Sequence, residues 1–321
     1  MAFTLDFSHL WHVLGWPLVR LLFSLAVGLL VANLIEAFNW TRFLAKLSGP
    51  LIRLGHMQDV VGASFSMAFF SGMAANSLLA EAATSGRISR RELVLANLCN
   101  SLPTYFLHLP QMIFVTVPFL GARPAGIYIG LTVSAALLRT AVVIGIGRWL
   151  LPPLPEGCVA CHLAKEAPSW RSALAKAWKR FSRRMRSMVL FTVPIYIVFH
   201  YLAVWGVFTS IEHWLAGHLS GLAWMTPQAI SIVMFQIVAE FTAGLAAAGA
   251  MLGAGNLVTK QVVLALLIGN ILSTPMRAFR HQFPYYAGIF NPKIAARLIV
   301  HNQALRAASL VVVTAGYAVL G

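Results

Sequence analysis

Acidic residues are nearly absent from this chain: 9 Asp and Glu in 321 residues, against 24 Lys and Arg. Charged residues of either sign make up 10% and hydrophobic ones 59%. Soluble domains carry about 25% charged residues. A chain this short of polar surface cannot cover a water-exposed globule, so lipid is the expected solvent over most of it. Few carboxylates leave few candidate general bases. No H-E-x-x-H run and no paired-carboxylate helix occurs, so an enzyme is not expected. Three cysteines cannot build a disulfide framework. Residues 1–15 hold no Lys or Arg, and no small-residue cleavage site follows the first apolar stretch. That stretch is therefore expected to remain as a span, not to leave as a signal peptide.

The net charge of +15 would suit a nucleic-acid binder, but its distribution does not. Most Lys and Arg lie at the ends of apolar runs and in one central loop, as a membrane topology signal requires. The expected partners are the lipid bilayer and a small polar solute or ion, with no nucleic acid; assembly into a homo-oligomer is compatible with the pattern.

Eight apolar segments run near 16–38, 57–84, 92–120, 124–151, 186–209, 227–254, 261–290 and 294–320. Between 152 and 187 the composition changes: Pro152, Pro153 and Pro155 are followed by Lys165, Arg171, Lys176, Lys179, Arg180, Arg183, Arg184 and Arg186. Trp170, Leu174, Trp178, Phe181, Met185 and Met188 recur at steps of three and four, which is one helical face opposite a basic one. This reads as an amphipathic helix on an anionic membrane surface, with a partner-binding helix as the alternative.

The chain repeats itself at a spacing of 169–172 residues. FLAKLSG at 43–49 matches WLAGHLSG at 214–221, and Phe70-Ser71-Gly72 matches Phe241-Thr242-Ala243-Gly244. Val94-Leu95-Ala96 matches Val263-Leu264-Ala265, and Asn100 with Pro103 matches Asn270 with Pro275. The expected divisions are a first repeat over 1–151, a basic loop over 152–187 and a second repeat over 188–321.

Loop charge gives orientation. The basic central loop is placed in the cytoplasm. Stretches 39–56 and 85–91 and the region of Lys293 and Arg297 are basic, while their counterparts 210–226, 255–260 and 121–125 hold at most one Lys or Arg each. These biases agree if 57–84 and 227–254 do not cross but return as hairpins with tips at Ser71-Gly72 and Ala243-Gly244. The expected fold is an all-α polytopic membrane protein of two inverted repeats. It would have about six transmembrane helices plus two re-entrant helical hairpins, in the inner (plasma) membrane. The alternative is eight crossings in parallel halves.

Inverted repeats with broken helices are a transporter architecture, and irregular backbone at membrane depth needs a protein-lined or wet setting. Helix breaks are expected at both tips, over Asn97–Thr104 and over Asn270–Pro275. The candidate solute-binding groups are Ser71, Asn76, Asn97, Asn100, Ser101 and Thr104 from one half. Thr242, Asn270, Ser273 and Thr274 are the candidates from the other. Simple packing kinks are the plainer reading of these positions. Glu240, with Glu81, is the candidate for proton or cation coupling, since an intramembrane carboxylate must be paired, protonated or cation-bound. A structural pair of Glu240 with Arg277 or Arg139 is the alternative. Arg277, Arg280 and His281 either face an anionic solute or snorkel to the interface. No cofactor is expected beyond H+ or Na+ as a coupling ion. Cys158-Val-Ala-Cys161-His162 has haem-attachment spacing, but a cytoplasmic loop and the lack of a further ligand make Cys158, Cys161 and His162 weak metal candidates.

The run FLAKLSGPLIRLG, then VGASFSMAFFSGMAANSLL, GRISRREL and LANLCNSLP, resembles the Gate, or nucleoside-recognition, domain. That domain occurs in concentrative nucleoside transporters, the membrane part of ferrous-iron permeases and spore-maturation membrane proteins. The likeness covers roughly 40–150 and 210–320 and implies a transport-type fold with re-entrant segments. The acidic residues that read purine and ribose in the nucleoside carriers have no counterpart here. The P-loop of the iron permeases is absent, and Cys99 matches their gate cysteine only in rough position. Neither substrate carries over. The expected activity is therefore a solute permease working by alternating access between the hairpin tips and the Asn/Pro breaks. A non-transporting membrane subunit or scaffold that docks a partner through the basic central helix is the alternative.

Overall fold

The computed structural model describes residues 41–154, 170–206, 225–238 and 241–320, with short pieces of 7–30 and Ser210. Among the described residues every regular element is helical. The principal helices are α1 (Thr41–Leu54), α2 (Asp59–Ala68), α3 (Gly72–Thr84), α4 (Arg90–Cys99), α5 (Ser101–Leu120) and α6 (Ala122–Leu150). They continue with α7 (Trp170–Val204), α8 (Pro227–Val238), α9 (Phe241–Gly253), α10 (Thr259–Phe290) and α11 (Pro292–Leu320). Helices α6, α10 and α11 are long and apolar enough to cross a membrane.

Local chemistry sets the short elements. The Ser71 hydroxyl accepts from the Ala74 N–H at 3.2 Å and starts α3. Ser89 starts α4 by accepting from the Glu92 N–H at 3.1 Å, the first half of a capping box. The Glu92 carboxylate returns to the Ser89 N–H and also accepts from the Gln58 N–H at 2.8 Å, so one buried carboxylate serves the starts of both α2 and α4. Helices α2 and α3 pack together, as do α8 and α9. Arms of 10 and 13 residues, and of 12 and 13, span about 15–20 Å each at 1.5 Å per residue. That is short of the roughly 30 Å hydrocarbon core of a bilayer.

Two pairs of turns share their backbone. After α3, Gly86 takes φ 74°, with the Arg87 N–H on the Ala82 carbonyl and the Gly86 N–H on the Ala83 carbonyl. After α9, Gly255 takes φ 73°, with the Asn256 N–H on the Met251 carbonyl and the Gly255 N–H on the Leu252 carbonyl. Both are Schellman closures, which favour glycine at the left-handed position. Between α5 and α6, Gly121 has φ 78°; between α10 and α11, Asn291 has φ 74°, with the same two flanking i→i−4 bonds.

The chain forms two compact units. The first comprises Met1–Thr104, Ala141–Tyr201 and His281–Ile299; the second comprises Tyr105–Thr140, Leu202–Arg280 and Val300–Gly321. Each unit thus takes segments from both 1–151 and 188–321. The α2–α3 pair belongs wholly to the first unit and the α8–α9 pair wholly to the second, whereas α6, α10 and α11 are each divided between them. In the second unit, Tyr128, Ile232, Leu245, Leu266 and Leu310 belong to one hydrophobic cluster. In the first, Met73, Phe181, Met185, Tyr285 and Ile289 are half-buried around another.

Three expectations from the sequence change. The second tip is not at Ala243-Gly244: both residues lie inside α9, which starts at Phe241. Gly244 is a packing notch, where a Cβ would collide with the Gln236 side chain of α8. Nor does a break occur at Asn270–Pro275, because α10 runs through it without interruption. The matching break in the first repeat does exist: α4 ends at Cys99, α5 begins at Ser101, and Pro103 falls in the first turn, where its missing N–H costs nothing. Finally, the basic amphipathic stretch and the fifth apolar segment are one 35-residue helix, α7, since no Gly or Pro intervenes before Pro194.

Candidate functional site

Each unit contains a buried polar cluster built around an asparagine. In the first unit the Asn97 amide donates to Asn76 Oδ1 at 2.9 Å and to the Tyr286 hydroxyl at 3.2 Å. One turn on, the Asn100 amide donates to Ser64 Oγ at 2.7 Å, and that hydroxyl donates to the Ala75 carbonyl at 3.0 Å. Asn76, Asn97, Asn100 and Ser64 are all buried. The cluster therefore ties both hairpin arms, α2 and α3, to the end of α4. Thr104 donates to the Asn100 carbonyl at 2.8 Å, and a Cβ on Gly72 would sit 3.7 Å from its hydroxyl, so the helix break and the hairpin tip meet. Ser101 donates to the Leu98 carbonyl at 2.6 Å.

In the second unit the Asn270 amide donates to the Tyr128 hydroxyl at 3.0 Å. Asn270 Oδ1 accepts from Thr274 at 2.6 Å and lies 3.5 Å from Arg306 Nη2. Thr274 also reaches the Asn270 carbonyl at 2.5 Å, the counterpart of Thr104 on Asn100. Such back-bonding loads a helix carbonyl with a second donor. Arg277 donates to Ser273 at 2.8 Å. Arg139 and Arg306 are close enough for their charges to act on each other, as are Arg306 and Arg277. Tyr105 shares a 2.8 Å bond with Thr132 beside them.

Several buried oxygens find no partner among the described residues: Asn97 Oδ1 and Asn100 Oδ1 in the first unit, Gln236 Oε1 and Gln303 Oε1 in the second. Native interiors leave few such groups, so each marks a place to look for a ligand or water.

Of the ten solute-binding residues expected from sequence, six fall in the first unit and four in the second. Thr242 is exposed on α9 and joins neither cluster. Glu81 is half-buried on α3. Glu240, and Cys158, Cys161 and His162, lie outside the described residues. Among the described residues no group of three His, Cys, Asp or Glu is placed to hold a metal. Sequence reasoning missed Ser64, Tyr286, Tyr128, Gln236 and Arg306. Arg139 and Arg306 did carry a signal, since each is the single charged residue in a long apolar run.

No family model matches the chain. Three proteins of Methanocaldococcus jannaschii, each called an uncharacterized protein, are similar to nearly all of it. One is 24% identical over 294 residues, 89% of each chain. A second is 20% identical over 293 residues, 90% of this chain and 93% of the relative. A third is 22% identical over 306 residues, 94% and 93%. No solved structure matches. The relatives span nearly the whole chain without naming an activity.

Proposed function

We propose that this protein is a multi-pass membrane permease of two inverted repeats, moving a small polar solute or ion by alternating access. The observation that carries the reading is the exchange of units between matched positions. The α2–α3 hairpin and Gly86 fall in the first unit, and their counterparts α8–α9 and Gly255 fall in the second. Gly121 falls in the second and Asn291 in the first. Parallel halves would keep matched turns in like company; inverted halves exchange them. The short hairpins stay within one unit, as re-entrant segments do, while the three long apolar helices pass from one to the other.

Charge agrees. In or beside its turns the first unit carries Arg53, Arg87, Arg90, Arg91, Lys293 and Arg297, and the second carries Arg123 and Lys260. The positive-inside rule supports a cytoplasmic side for the former, with the central loop, in the inner (plasma) membrane. Asparagine clusters with spare buried oxygens offer a polar solute hydrogen-bond acceptors inside an apolar body. The likeness to Gate-domain membrane proteins points the same way.

In a cysteine-free background, Asn256→Cys and Lys293→Cys test the topology. The inverted reading expects labelling from outside at 256 and only after permeabilisation at 293; parallel halves reverse both. Proteoliposomes loaded with labelled nucleosides, amino acids, phosphate and succinate test transport. At least one solute should leave faster than from protein-free vesicles, and efflux of none overturns the permease.

A second reading has one observation of its own. Trp170, Leu174 and Trp178 on α7 are 69%, 49% and 63% exposed beside the basic residues, a face fit to dock a partner subunit or lipid. A stable hetero-complex in mild detergent with no solute flux would favour that scaffold role.

A further inference from the structure

Helix α7 runs unbroken from Trp170 to Val204, about 52 Å at 1.5 Å per residue. A bilayer with its headgroups is about 40–45 Å thick, so a tilted helix of this length reaches from one headgroup layer to the other. Its two ends differ in chemistry. From Ser187 to Val204 there is no Lys, Arg, Asp or Glu. From Trp170 to Met188 there are seven Lys or Arg, and no Asp or Glu falls between Glu166 and Glu212.

At about 100° per residue the basic end sorts into three strips. Ala177 is buried, and Phe181 and Met185 on the same side are half-buried around the cluster that Tyr285 and Ile289 also enclose. Those two residues stand in the last two turns of α10, next to the α10–α11 turn with its exposed Lys293. This stretch of α7 therefore lies at the end of the first unit that carries that turn. Beside the packed strip, Leu174 and Trp178 are exposed. Beyond them, over an arc of roughly 120°, come Arg171, Lys179, Arg183 and Arg186, all exposed. By spacing, Leu174 and Trp178 share the apolar face of Phe181 and Met185, yet the unit leaves them outside.

A helix end standing in water has no use for an exposed leucine and tryptophan beside its charges. A bilayer surface has. Indole rings settle at headgroup level, aliphatic side chains reach the acyl boundary, and Lys or Arg meet the phosphates. Seven like charges with no acid among them also call for anions, and an anionic leaflet supplies these as a continuous layer. An acidic protein would match the charge, but the apolar half of α7 holds the leaflet, and not a protein, within reach.

We propose that the basic end of α7 is a binding surface for anionic phospholipid, with headgroup phosphates against Arg171, Lys179, Arg183 and Arg186 and acyl chains against Leu174 and Trp178. The proposal needs α7 in a membrane and does not need transport, so it stands or falls apart from the permease reading.

The test uses the full chain in proteoliposomes of mixed phosphatidylglycerol and phosphatidylcholine. A fluorescent label sits on Ala175→Cys in a cysteine-free background; Ala175 is exposed between Arg171 and Lys179. A small fraction of one lipid or the other carries a nitroxide on its acyl chain near the headgroup. Nitroxide phosphatidylglycerol should quench the label about threefold more than nitroxide phosphatidylcholine, and the preference should shrink as salt is raised. Lys179→Gln, Arg183→Gln and Arg186→Gln together should abolish the preference, and Arg123→Gln, an exposed base of the second unit, should leave it intact. Trp178→Gln should lower quenching by both lipids. The salt titration carries the test if the triple variant does not fold. Equal quenching by the two lipids at low salt, or a preference that survives the triple substitution or high salt, overturns the surface. So does a label that neither lipid quenches; a protein released from the purified complex by Trp178→Gln would then take the face instead.

Discussion

The Asn270 side chain donates to the Tyr128 hydroxyl at 3.0 Å, joining positions 142 residues apart. Tyr128 is fully buried, and it stacks on Phe241 at 6.0 Å, the first residue of α9. One tyrosine thus fixes α6, α9 and α10 to each other. Tyr128→Phe keeps the ring and strands the Asn270 amide. The expected loss is about 1–3 kcal/mol, the cost of a buried donor left without its acceptor. Chemical denaturation in detergent measures it. In a double-mutant cycle, Asn270→Leu added to Tyr128→Phe should cost less than the sum, because the stranded donor is gone.

Asn97 holds the first unit's cluster by two bonds, to Asn76 and to Tyr286. Asn97→Leu removes both and leaves the Asn76 oxygen buried. Tyr286→Phe removes the Asn97 bond together with the contacts of the same hydroxyl to Asn76 and Tyr285. Each should destabilise by about 1–3 kcal/mol, measured as denaturation midpoints under the same detergent; an unchanged midpoint would take that residue out of the cluster.

Gly249 on α9 meets the Phe119 carbonyl of α5 so closely that a Cβ would overlap backbone, and backbone cannot swing aside as a side chain can. Gly249→Ala should cost about 1–3 kcal/mol, the range for overpacking. Gly130→Ala, with open space around it in the middle of α6, should be neutral or stabilise by up to about 1 kcal/mol through helix propensity. Thermal midpoints of the pair test the packing against a matched control.

Removing both repeat asparagines, as Asn100→Leu with Asn270→Leu, should abolish flux of any solute found to move, while the protein still inserts and purifies as a single species. Undiminished flux would take the polar clusters out of the transport path.

Much of this arrangement is legible in the sequence, and the failures have physical causes. Helices α2 and α3 follow from an apolar run split by turn residues at Ser71-Gly72. The Asn100 break follows from Asn and Pro at close spacing. The same signal misled at Asn270–Pro275, because proline N–H loss alone does not stop a helix whose neighbours still pack, and α10 continues through it. Ala243-Gly244 looked like a turn because glycine serves tight turns and tight packing alike; the Gln236 side chain against it decides for packing. Ser64, Tyr128 and Tyr286 went unread since nothing local marks an uncharged polar residue in an apolar run as paired. Their partners lie 36, 142 and 189 residues away.

The interleaving of the two units bears on the order of events during synthesis. The first unit needs His281–Ile299 and the second needs Val300–Gly321, so neither can close until almost the last residue has left the ribosome. Local hairpins can form early, but the contacts that complete each unit span most of the chain, and distant contacts are slow to find. Until then Asn97 has Asn76 but lacks Tyr286, and Tyr128 lacks Asn270. A chain truncated before residue 281 should be a substrate for membrane proteases, not a stable half-protein.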